Sequence, residues 1–264
     1  MTILSLVLLV LALAARATGA TSSQAYQDYL YQFEVYRQKY SDFQVAKNEY
    51  EKFKSLASQT AALEKTKIML SQRDQLLRAY LFLLNERLNE DQGLNVPEKQ
   101  QYQTLIKNEV TFLDGHSALV PSIGSLPDAV KVSEELQSHY NVLSRSMRQT
   151  IVAISLGQLS VLSKQYDTAL QKAQDIITNR RVVFSPQKQA NLDRWLLQIQ
   201  NKRSLYQQKI NAVSSANTTM KPGDVALLDR QFTRLMADLS ESKQYMVEGA
   251  AFMEELVNSL RYQD

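Results

Sequence analysis

The chain carries two histidines, His116 and His139, and no cysteine. Any proton-transfer chemistry would therefore run through imidazoles and carboxylates. His139 follows Glu135 by four residues, a spacing that sets both on one face of a helix. Two ligands are too few for a transition-metal site, and no second Glu/His pair accompanies them. Both histidines read as ordinary surface residues. Glu134-Glu135 and Glu254-Glu255 are consecutive, so they point about 100° apart on a helix and suit solvated faces rather than a general acid/base pair. HExxH, P-loop, GxGxxG and GxSxG patterns are absent. Without cysteine there is no thiol nucleophile, disulfide or Cys-ligated metal. The expectation is a protein with no catalytic residue, cofactor or metal.

The elements around these residues are helical. Proline and glycine cluster at Gly93–Pro97, at Gly115–Pro127, at Pro186 and at Pro222-Gly223, and the stretches between them have helical periodicity. The pattern predicts an all-α, elongated antiparallel bundle of about five helices in a single domain over 21–264. The helices fall near 23–92, 96–114, 127–181, 186–214 and 224–262. Asn95 with Glu98 forms a capping box for the second helix, and Gly115 is its expected stop. His116–Leu126 reads as a loop, Val182–Phe184 as a connector and Ser214–Gly223 as a polar loop. The uncharged run Gln149–Ser163 reads as a buried central segment in which Gly157 permits a close crossing. Asn217-Thr218-Thr219 matches the N-glycosylation acceptor pattern.

The first helix is the most distinctive element. From Ser22 to Gln92 there is neither proline nor glycine, which predicts one very long, coiled-coil-like helix. Its first half has an aromatic seam, Tyr26, Tyr29, Phe33, Tyr36, Tyr40 and Phe43, at alternating spacings of three and four. Its second half has leucine every seven residues from Leu56 to Leu84, with Ala62, Met69, Leu76 and Leu83 one position earlier. That stripe is wide enough to meet two helices. Thr60, Lys67 and Asp74 interrupt the register a strict leucine zipper would keep. Asp74 with Arg78, Glu64 with Lys67 and Glu51 with Lys54 read as exposed charge pairs. Tyrosine joins a large apolar face to a hydroxyl that needs water or a partner. The seam therefore suits helix packing with wet edges, or a candidate interaction surface.

Charge and the N-terminus bound the function. The chain has 30 basic and 27 acidic residues, a net charge of +3. This is too small to imply a nucleic-acid partner. Ile3–Ala15 is apolar and small residues follow at 17–20, the layout of a secretory signal peptide over 1–20. An anchor retained through residues 3–15 is the alternative, although thirteen residues span only about 20 Å as helix. The sequence points to an extracytoplasmic protein, secreted, periplasmic or on the cell surface. Its expected role is structural or protein-interacting and non-enzymatic, with a protein partner or self-association. A membrane-active helical protein is the second reading.

Overall fold

A computed structural model describes residues 20–261. The signal or anchor segment lies outside the described residues, apart from Ala20. The described chain is helical, with no strand. Six α-helices follow one another: α1 (Ala20–Phe53), α2 (Leu56–Glu90), α3 (Val96–Leu119), α4 (Leu126–Arg180), α5 (Pro186–Thr218) and α6 (Val225–Arg261). Short 3-10 turns occupy Val120–Ser122 and Arg181–Val183. The chain divides into two compact units. Unit 1 takes the residues up to Glu90 and Pro97–Met147; unit 2 takes Asp91–Val96 and the residues from Arg148 onward.

The expected seventy-residue first helix does not exist. It breaks at Lys54-Ser55 into α1, of 34 residues, and α2, of 35. Lys54 adopts a left-handed φ of 48°, a conformation that ends a helix and that lysine adopts only at a cost. Ser55 then restarts the chain. Its Oγ accepts from the Ser58 amide at 3.2 Å, and the Ser55 amide donates to Ser58 Oγ at 3.1 Å. This is the reciprocal arrangement of a capping box, with serine in the place of the usual glutamate. The signal was present as Ser-x-x-Ser without a glycine or proline to announce it.

The break folds α1 back along α2. The Ser22 amide donates to Glu90 Oε1 at 2.9 Å, Gln72 donates to Gln32 at 2.6 Å, and Lys65 pairs with Asp42 at 3.6 Å. These pairings converge on the turn, so the two helices form an antiparallel hairpin. α3 runs back along α2: Gln103 bonds Asn89, Arg78 pairs with Asp114 at 3.1 Å, and Lys67 Nζ donates to the carbonyls of Pro121 and Ile123. Arg78 and Lys67 thus leave the local partners expected for them, Asp74 and Glu64. The core of unit 1 includes Met69, Leu70, Val120, Ile123 and Ala129, with Tyr36, Phe43, Leu63 and Val132 packed against it.

Unit 2 joins residues 148–180 of α4 to α5 and α6 around one apolar core, which includes Val152, Leu159, Leu192, Ile199, Leu228 and Leu256. Side chains of this size contribute roughly 1.5–3 kcal/mol each on burial. Tyr166 donates to the Ile199 carbonyl at 3.1 Å and Tyr206 to that of Leu159 at 2.9 Å. Burial pushes the Tyr166 hydroxyl up to about 12. Gly157 does provide a close crossing. A Cβ built on Gly93 would collide with the Gly157 carbonyl, and one built on Gly157 would collide with the Asp91 carboxylate. That carboxylate accepts from the Gly93 and Leu94 amides at 2.9 and 2.8 Å.

Two loops are shorter than expected. Gly115 does not stop α3, which continues to Leu119 and carries His116 inside the helix. α5 continues to Thr218, and Asn217 is fully buried. Its Nδ2 donates to the Gln149 carbonyl at 3.0 Å, while Gln149 donates to the Asn217 carbonyl at 2.7 Å. In the folded chain Asn217 is closed to a glycosyltransferase.

Candidate functional site

The helical pitch of α1 divides its aromatic seam into two columns, each with a repeat of seven. Tyr29, Tyr36 and Phe43 are half-buried. Tyr29 meets Tyr80 of α2 at 5.2 Å between ring centroids, and Tyr36 and Phe43 join the core of unit 1. Tyr26, Phe33 and Tyr40 form the other column and stand 43%, 42% and 44% exposed. Leu30, 40% exposed, fills the gap between Tyr26 and Phe33. The rings of the two columns touch: Tyr29 with Phe33 at 6.3 Å, Tyr36 with Tyr40 at 6.0 Å, and Tyr40 with Phe43 at 6.0 Å. The inner rings thereby hold the outer ones in place. The six residues of the seam therefore lie together on one helix but divide between two environments.

A second constellation was not foreseen. His116 and Asp74 are both closed to solvent, with Nδ1 2.7 Å from the Asp74 carboxylate. The other ring nitrogen, Nε2, donates to the Val132 carbonyl at 2.8 Å. Three helices, α2, α3 and α4, meet through this one imidazole. The hydrogen bond to Asp74 holds the His116 proton above the usual histidine range. Desolvation opposes it, and the Val132 carbonyl adds to it. The surface reading of His116 is overturned, as is the exposed position of Asp74. His139 is also engaged. Its Nε2 lies 2.7 Å from buried Glu109, which also accepts from Ser146 at 2.8 Å. Its ring stacks on Phe112 at 3.7 Å, and Phe112 stacks in turn on His116. The partner of His139 is Glu109, not Glu135.

Signals for this layer existed in the sequence. Asp74 interrupts the leucine register, and Tyr102, Ile106, Glu109, Leu113 and His116 recur at spacings of three and four along the buried face of α3. A polar residue on an apolar face needs a buried partner.

The layer ties α2, α3 and α4 together through buried and half-buried hydrogen bonds. Ser146 donates to the Glu109 carboxylate at 2.8 Å, and both residues are buried. The His116–Asp74 pair is closed to any substrate. Among the described residues no three His, Asp or Glu side chains gather to hold a metal. Glu134, Glu135, Glu254 and Glu255 are exposed, as solvated faces require. The described residues define an all-α protein in which the outer aromatic column of α1 is partly exposed. Compared with known proteins, the chain matches no family model, no curated protein and no solved structure.

Proposed function

We propose that this is a non-enzymatic, secreted or cell-envelope helical protein that binds another protein through the outward column of α1. The observation that carries the reading is the exposed set Tyr26, Phe33 and Tyr40, held by a matching column that packs inward. Large rigid rings give contact area at small entropic cost, and the hydroxyls of Tyr26 and Tyr40 tolerate water when free. A repeat of seven is the spacing that an amphipathic partner helix presents. The signal-like segment 1–20 supports export. The test is the triple variant Tyr26→Ser, Phe33→Ser, Tyr40→Ser. It is expected to keep wild-type helicity by circular dichroism and to lose capture of its partner from the native envelope or medium. Undiminished capture would remove this surface from consideration.

Membrane association is a second reading, favoured by the turn after α4. Val182 and Val183 stand 99% and 84% exposed beside Arg180 and Arg181, the pairing of apolar and cationic side chains that an anionic lipid surface attracts. Among the described residues no helix is long and apolar enough to cross a membrane. Within Gln149–Ser163, Val152 and Leu159 already belong to the core of unit 2. Co-sedimentation with anionic vesicles, lost on Val182→Ser with Val183→Ser, is the outcome this reading requires.

A further inference from the structure

Arg73 lies beside the His116–Asp74 pair, where the Asp74 carboxylate acts on it without a hydrogen bond between them, and Asp74 Oδ1 is itself buried without a hydrogen-bond partner. Burial pulls the Arg73 pKa down, against the pull of Asp74 and Tyr36. Nη1 reaches only Ser133 Oγ, at a long 3.4 Å. Nε and Nη2 are buried and have no hydrogen-bond partner. Buried donors left without an acceptor are costly, and a bound oxygen acceptor is the direct remedy. The Nε and Nη2 hydrogens lie parallel, the fork that matches the two oxygens of a carboxylate. Unit 2 shows this fork filled: Arg203 binds Asp167 through Nε at 2.6 Å and Nη2 at 2.7 Å.

Arg73 also lines a cleft of about 230 Å³ between α1, α2 and α4 of unit 1. Its other walls are Tyr36, Leu76, Leu77, Leu136, Gln137 and Tyr140. This is smaller than the ~300 Å³ at which sites for drug-sized ligands begin. Three leucines, two tyrosines and a glutamine beside one guanidinium suit a short apolar body with a single charged end.

We propose that the cleft binds a small organic carboxylate, its two oxygens on the Nε and Nη2 edge of Arg73 and its apolar part against Leu76, Leu77 and Leu136. The edge is closed to solvent, so entry requires a side chain of the cleft wall to rotate. The proposal is independent of the α1 interaction surface, since Tyr36 belongs to the inner column.

The test is thermal unfolding of the full chain titrated with hexanoate or benzoate, with hexanamide, benzamide and chloride as controls. The expected result is a saturable rise in melting temperature with the carboxylates and none with the amides. Arg73→Met should weaken the carboxylate response at least tenfold. Should that variant fail to fold, Gln137→Trp replaces it, because position 137 is exposed and an indole there fills the cleft from outside. Loss of the response in Gln137→Trp supports the proposal, and an undiminished response overturns it. Equal shifts with carboxylate and amide, no shift with either, or a response to chloride matching that to the carboxylates would each overturn it. The last would mark the fork as an adventitious ion site only.

Discussion

At the residue scale the buried imidazole of His116 is the most consequential group. Its proton is held above the usual range by Asp74 and Val132, so folding raises its pKa relative to the unfolded chain. The sign follows from linkage. The stabilisation is fully present below the unfolded value of about 6.5 and is lost as pH rises through the higher folded value. Urea unfolding across this range should therefore show stability falling above neutral pH, with the slope reduced in His116→Gln. A slope unchanged by that substitution would assign the dependence to other groups. His116→Ala should cost about 3–5 kcal/mol, because it leaves Asp74 buried without its partner. Removal of Asn217 should also destabilise, since its reciprocal bonds with Gln149 are buried. Asn217→Ala should lower the urea midpoint, and the wild-type chain made in a glycosylating host should show no glycan at this position by mass spectrometry.

Sequence showed these residues only in part. Asp74 was visible as a break in the leucine register, and its burial was not, because the partner that makes burial tolerable is 42 positions away. His116 looked like a loop residue because Gly115 precedes it. A Cβ at Gly115 would meet nothing within 4 Å, so this glycine serves neither a turn nor a close approach, and the helix simply passes through it.

At the element scale the hairpin turn between α1 and α2 decides the architecture of unit 1. Periodicity predicted helix on both sides of Lys54, and both sides are helical. What it missed was a two-residue reversal made by a lysine with positive φ and a serine cap, residue types that an unbroken helix also tolerates. Glycine adopts that φ without the penalty of a side chain. Lys54→Gly should therefore raise stability by about 0.5–1 kcal/mol, measured by urea unfolding. Lys54→Val should lower it. In unit 2 the crossing of Gly93 over Gly157 was half legible: the need for a small residue at 157 followed from its place in an apolar run, whereas its partner did not. Gly157→Ala should cost at least about 1–3 kcal/mol, because the added methyl meets the Asp91 carboxylate that caps the neighbouring turn. A stability within error of wild type would show that Asp91 can retreat freely.

At the scale of the whole molecule, helical class and most helix boundaries after Pro97 followed from periodicity and punctuation. The division of the aromatic seam did not. Six rings at spacings of three and four look alike along the chain, and only the fold of α2 against α1 decides which three turn inward. That decision gives the functional reading its sharpest form. A photo-crosslinking amino acid placed singly at positions 26, 33 and 40, and then at 29, 36 and 43, tests it in the native envelope or medium. The interaction role predicts adducts to one common partner from 26, 33 and 40, and none to it from 29, 36 and 43. Equal adducts from both columns, or none from either, would contradict it.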